Sequence, residues 1–156
     1  MKLKHLIENL SVADHVTDRD ITGITIDSRK VEPGHLFMAL HGTQTDGHAF
    51  IGKAIEAGAT AVLCDAPEQE LVDTHPEIAW LRVLDVAVGA GMIATRFYGN
   101  PTDRLKLVGV TGTNGKTTIA TLLYRLFRAM GHKVGLLSTV CNYIDGEPVM
   151  ATHTTP

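Results

Sequence analysis

Cysteine is scarce in this sequence: Cys64 and Cys141 stand alone in 156 residues, with no Cys-x-x-Cys spacing. That argues against a disulfide framework and suits free thiols in a reducing compartment. No apolar run approaches the ~18 residues of a membrane span, and Met1-Lys-Leu-Lys-His5 leads into no signal-like apolar stretch. No block of lysine and arginine interrupts a formal charge of -3, so the electrostatic footprint of a nucleic-acid or anionic-membrane binder is missing. Any polyanion it binds is small and locally held. Internal repeats and low-complexity tracts are also absent. What remains, 44% hydrophobic and 20% charged, is a globular chain with room for one ordinary domain or two small ones.

The chain is organised around Leu105-Lys-Leu-Val-Gly-Val-Thr-Gly-Thr-Asn-Gly-Lys-Thr-Thr118. Residues 105–110 are a short apolar run that reads as a strand covered on both faces. Gly112 and Gly115 let the backbone turn and approach a ligand where a Cβ would clash. Ile119, Leu122, Leu123, Leu126 and Met130 then recur at helical spacing, a stripe expected to pack in a core, and place the loop at a helix N-terminus. Free N–H groups and the positive end of the macrodipole make such a terminus an anion site. The implied chemistry is phosphate binding: amides of Gly112, Thr113, Asn114, Gly115 and Thr118 cradle the chain, Lys116 reaches the terminal phosphates, and the Thr117 hydroxyl ligates magnesium. The strict Gly-x4-Gly-Lys-Ser/Thr pattern is broken, because Val110 stands where its first glycine belongs. A plain helix-capping loop would explain the glycines but not the lysine.

Upstream, residues 3–10 carry the spacing of a short amphipathic helix, and 21–27 alternate as a half-covered strand. A turn at Glu32-Pro33-Gly34 precedes a second strand at 35–40. Residues 41–48 have no apolar side chain and form a surface loop. A helix follows from Phe50 to Gly58, then strands at 60–64 and 79–83 separated by a polar connection. Asp85 caps a helix running to about Tyr98, and 99–103 form a proline-stopped loop that makes the best domain boundary. After the glycine loop and its helix, Gly131 stops the helix and 133–139 form a strand, completing a βαβ unit. Some 50 residues are too few for a nucleotide-binding α/β domain, and no acidic magnesium partner follows. The chain therefore reads as an N-terminal piece of a longer protein, not a complete catalyst. The eight histidines show no metal-ligand spacing; His41 and His48 flank a loop, where surface polar roles are expected.

Taken together, the two halves resemble the Mur ligase family of ATP-dependent peptidoglycan precursor ligases. Gly109-Val-Thr-Gly-Thr-Asn-Gly-Lys-Thr-Thr118 is similar to that family's phosphate loop, which also lacks the strict first glycine. Asp27-Ser-Arg29, Pro33-Gly-His-Leu-Phe-Met-Ala-Leu40, Asp46-Gly-His-Ala-Phe50 and Ala57-Gly-Ala59 resemble the small uridine-binding domain of the members that add the third stem-peptide residue or the terminal dipeptide. Ser138-Thr-Val140 with His153-Thr-Thr-Pro156 is closer to the third-residue branch.

The resemblance implies an α/β fold: a small mixed-sheet domain at 1–100 that binds the UDP-sugar, then at 104–156 the first βαβ unit of a truncated P-loop domain. It implies ATP and Mg2+, with Lys116 catalytic on the γ-phosphate. Ile26 and Ser28 would contact the uridine diphosphate of UDP-MurNAc-L-Ala-D-Glu, and Thr43, Gln44 and Thr45 the uracil. His153, Thr154 and Thr155 would hold the muramoyl-dipeptide, although position 153 is asparagine in some members. The implied reaction is amide formation through an acyl phosphate, adding meso-diaminopimelate or lysine, by a cytoplasmic monomer. A carbamylated lysine, further magnesium ligands and an amino-acid-binding domain that the family also needs have no counterpart here. Read from residues alone, 41–48 is equally a generic polar loop, and Thr154-Thr155 equally a turn before Pro156. The alternatives are a non-catalytic uridine-nucleotide module and the dipeptide-adding ligase. A small P-loop kinase or GTPase fits poorly with ~100 structured residues before the loop, and a folate polyglutamate-type ligase should lack Asp27-Ser-Arg29.

Overall fold

The computed structural model describes residues 1–12, 16–42, 45–144 and 146–150. The chain divides into two compact units, Met1–Leu105 and Lys106–Pro156.

In the first unit, β1 (Gly23–Thr25), β2 (His35–Met38), β3 (Ala61–Cys64) and β4 (Ala79–Arg82) pair in that order as one sheet, parallel throughout. The sheet is thus parallel where a mixed one was expected. Each connection crosses back over a face before the next strand starts, so every strand sets out from the same end. Both faces are covered, which is why β2 to β4 are apolar at nearly every position. Leu36, Met38, Ala61, Leu63, Ala79 and Leu81 point to one face, where α1 (Leu3–Leu6) and α4 (Val86–Phe97) supply Leu3, Leu6, Val86, Ala90 and Ile93. Phe37, Val62, Cys64 and Trp80 point to the other, against Ile51 and Ala54 of α2 (Ile51–Glu56). Leu71 and Val72 of α3 (Gln69–Thr74), a short helix inside the expected polar connection, pack against the same cluster.

Local signals explain the boundaries. Asp85 accepts from the Val88 amide at 2.9 Å and starts α4. Gly89 lets α4 lie close on β3: a Cβ there would already touch the Leu63 methyls. At the amino end of the sheet, the Arg19 guanidinium donates to the Thr60 carbonyl at 2.8 Å and pins the N-terminal segment beneath β3.

The second unit holds α5 (Lys116–Ala129) and an antiparallel hairpin of β5 (Cys141–Ile144) and β6 (Glu147–Met150). Tyr124 of α5 is buried and stacks on Tyr143, ring centroids 5.2 Å apart, while Arg128 donates to its hydroxyl at 3.0 Å. The strands expected at 105–110 and 133–139 are not formed. Those segments carry no regular secondary structure beyond one isolated bridge from Leu136 to Tyr143. Beyond that single bridge to β5, no described strand of this unit pairs with either segment, and a strand without a paired neighbour has no ladder to join. The βαβ unit is therefore present only as its loop and helix. The apolar stripe of α5 is likewise not in a core: Leu122 and Leu126 are exposed, as are Leu107 and Val108.

Leu63 sits at the centre of the sheet with no solvent exposure. Leu63→Ala should cost the first unit about 2–5 kcal/mol, through lost contacts and the residual cavity. Chemical denaturation followed by Trp80 fluorescence measures it, and a loss below about 1 kcal/mol would contradict this packing.

Candidate functional site

Parallel pairing delivers every βα junction of the first unit to one edge. Ile26, Asp27 and Ser28 follow β1, residues 41–48 follow β2, Asp65 follows β3, and Val83 and Leu84 follow β4. Ligands of open parallel sheets bind outside such carboxyl ends. Ile26 is 55% exposed and Leu84 fully so, apolar surface that no described residue covers. Between β3 and β4 this edge opens into a cleft of about 400 Å³ lined by Ser11, Val12, Asp65, Arg82, Val83 and Leu84. A larger hollow of about 620 Å³ lies on the outer side of α4, lined by Ala87, Met92, Arg96 and Asp103 among others, away from the strand ends.

Asp27 caps the 3-10 turn Ser28–Lys30. Its carboxylate accepts from the Arg29 amide at 3.1 Å and from the Arg29 guanidinium at 2.9 and 2.8 Å. These hydrogen bonds to the charged form hold its pKa down to about 2. The turn presents the half-buried Ser28 beside the exposed Ile26.

The loop after β2 is tied at its base by a bridge between His41 and Asp46, and Thr45 is exposed above it. Thr43 and Gln44 lie outside the described residues. Gly47 is required by close approach, since a Cβ would fall 2.7 Å from the Leu40 carbonyl oxygen and 2.8 Å from its nitrogen. This turn carries His48 back against His41. The two rings stack with centroids 4.6 Å apart. Asp46 faces one side of the stack, 2.8 Å from His48 Nδ1 and 3.3 Å from His41 Nδ1. Asp65 faces the other, 2.9 Å from His41 Nε2 and 2.7 Å from His48 Nε2. Asp65 pushes the His41 pKa up, while the histidine and amide donors around Asp46 and Asp65 draw both carboxylates down. Sequence spacing does not announce this grouping: Asp65 lies 24 positions from His41, and the β2–β3 pairing brings them together.

In the second unit, Gly112 and Gly115 take φ of 145° and 78°, backbone that a side chain would strain. Gly115 precedes the first residue of α5, and the Ile119 amide donates to its carbonyl at 2.9 Å. The Lys116 ammonium turns into the loop and donates to the carbonyls of Gly112 and, at 3.3 Å, Thr113. Residues 111–118 are all exposed, so no packed side chain blocks the amides of Thr113, Asn114, Thr117 or Thr118. His153, Thr154 and Thr155 lie outside the described residues.

Residues 20–98 match the family described as "Mur ligase family, catalytic domain", and 110–156 match the "Mur ligase middle domain". The chain belongs to the Mur ligase family. It is 56% identical over its whole length to the UDP-N-acetylmuramoyl-L-alanyl-D-glutamate--2,6-diaminopimelate ligase of Bacteroides fragilis, of which it covers 32%. To the ligase of the same name from Bacteroides thetaiotaomicron it is 62% identical over 88% of the chain, 28% of that protein. The chain thus spans about a third of the length of the curated relatives it matches. Among solved structures, MurF from Acinetobacter baumannii aligns with a TM-score of 0.51 at 31% identity, over 73% of this chain and 23% of that one. MurF from Thermotoga maritima in complex with ADP aligns at 0.52 and 30% identity, over 68% of this chain and 23% of that one. In this Mur ligase chain the glycine-rich loop falls in the middle-domain match, and the strand-end loops in the other.

Because the folded pKa of Asp27 is depressed, its stabilising pairing with Arg29 is complete above about pH 4, the ordinary carboxylate range, and is lost as pH falls through about 2. An NMR titration of the Asp27 carboxyl carbon should show a midpoint near 2. Arg29→Ala should move it toward about 4. A wild-type midpoint already near 4 would contradict the pairing.

Proposed function

We propose that this chain is the substrate-anchoring and phosphate-binding part of an ATP-dependent ligase that joins 2,6-diaminopimelate to UDP-MurNAc-L-Ala-D-Glu in the cytoplasm. Relatives bearing that name at 52–62% identity support the choice of amino acid over lysine. The observation that carries the reading is Lys116, an ammonium lodged against its own loop's carbonyls at the exposed N-terminus of α5.

The residues fit a bound nucleotide. Two positive-φ glycines open the backbone, and the unhindered amides at the start of a 14-residue helix offer N–H groups and a positive dipole to phosphate oxygens. ATP supplies the phosphoryl group that activates a substrate carboxylate. Lys116 exchanges neutral carbonyl acceptors for phosphate oxygens, a stronger charge-assisted contact, and neutralises charge that develops on transfer. The Thr117 hydroxyl, in the first turn of α5, would ligate Mg2+. In the first unit, Ser28 and the apolar Ile26 would hold the diphosphate and ribose side of the sugar nucleotide. Thr45 with Thr43 and Gln44 would meet the uracil, and His153, Thr154 and Thr155 the muramoyl-dipeptide. No described helix is long and apolar enough to cross a membrane.

A uridine-nucleotide module without catalysis is the second reading, favoured by how many candidate contacts gather on the first unit. Lys116→Ala separates the two. In the protein extended to the length of its relatives, this substitution should lower turnover by about 10²–10³ or more, the cost of losing one donor aimed at transition-state charge. Affinity for UDP-MurNAc-L-Ala-D-Glu, by calorimetry, should stay within about 0.5 kcal/mol. Near-normal turnover would overturn the role of Lys116.

A further inference from the structure

We propose that His41, His48 and Asp65 form a binding site for a divalent transition-metal ion of the Zn2+ class, with Asp46 positioning the two rings. The ligand atoms of the three residues all lie within 4.8 Å of one another. Two imidazoles and a carboxylate are donors suited to zinc and its neighbours, whereas magnesium and calcium take oxygen sets. Ring orientation supports the assignment. Both Nε2 atoms converge on Asp65, while both Nδ1 atoms face the single carboxylate of Asp46. That is the arrangement a metal-binding histidine needs, one nitrogen for the ion and the other donating to an acidic partner that fixes tautomer and tilt.

Three further observations point to an ion in preference to a closed hydrogen-bond network. His48 Nε2 is sealed from solvent and makes no hydrogen bond, although Asp65 Oδ1 lies only 2.7 Å away, because the approach is off-line. A buried polar atom left in this way is destabilising, and coordination would satisfy it. Asp46 and Asp65 both press against the two rings, a concentration of negative charge that a divalent ion would offset. Size also fits: bonds of about 2.0–2.2 Å in a tetrahedron set ligand atoms about 3.3 Å apart, so the pairs at 2.9 and 2.7 Å need open by only about half an ångström. Exposure of the His41 ring leaves a fourth position for water. Such an ion would clamp the loop after β2 to the end of β3, and this inference does not depend on the ligase reading.

Untagged, chelator-stripped protein titrated with ZnCl2 by calorimetry tests it, with cobalt absorption as the coordination readout. One Zn2+ per chain is expected, with millimolar Mg2+ unable to displace it. Cobalt should give the d–d bands of a low-symmetry site. His41→Gln, at an exposed ring whose replacement should not disturb packing, and Asp65→Asn should each weaken binding by more than about 100-fold, and Asp46→Asn by about 10–100-fold. Circular dichroism checks that each variant is folded. Absence of stoichiometric Zn2+ binding, octahedral-like cobalt spectra in the wild type, or unchanged affinity in folded His41→Gln would each overturn the proposal.

Discussion

Strands that run the same way finish on the same side, and much of the first unit's chemistry follows from that. β2 to β4 bury apolar residues on both faces, so their register is held by two cores rather than one. Backbone and polar side chains are accessible at the junctions beyond the strand ends. At the amino end, Arg19 consumes carbonyl groups to close the bottom of the sheet. At the carboxyl end, Ile26, Ser28, the loop at 41–48, Asp65 and Leu84 stand together. On the proposed reading, stability and recognition fall to opposite edges of one sheet.

The second unit rests on a different device. Its loop conformation depends on two glycines with positive φ and on a lysine that satisfies loop carbonyls until something more negative arrives. A cation stored on neutral acceptors is held weakly enough to move and closely enough to need no search. The exposed apolar face of α5, with Leu107 and Val108 also exposed, shows how far this helix is from making its own core. Tyr124, Arg128 and Tyr143 hold the hairpin to α5 by stacking and one hydrogen bond.

Much of this was legible in the residues. The apolar runs at 35–40, 60–64 and 79–83 could belong only to strands covered twice, and Asp85 marked the start of α4 where it occurs. The lysine-bearing loop at a helix N-terminus was readable from Gly112, Gly115 and the periodicity after them. What escaped was non-local or weak. α3 buries only part of Leu71 and Val72, too little for a periodic signal. The hairpin strands, Cys141-Asn-Tyr-Ile144 and Glu147-Pro-Val-Met150, do not alternate apolar with polar residues, so no period marked them. Strands at 105–110 and 133–139 had the right composition, but composition specifies a buried strand only when a partner strand is there to pair with it. The His41–His48–Asp65 grouping could not be seen at all, because it exists only once β2 and β3 lie side by side.

The proposed function gives the two ligand chemistries two separate surfaces, strand ends in one unit and a helix N-terminus in the other. Backbone amide NMR of the labelled chain, titrated first with a UDP-sugar and then with magnesium ATP, tests it most directly. The account predicts that the UDP-sugar shifts amides at 26–28, 41–48, 65 and 84 and leaves 112–118 still, while magnesium ATP does the reverse. UDP-sugar shifts concentrated on the outer side of α4, or ATP shifts absent from 112–118, would contradict it.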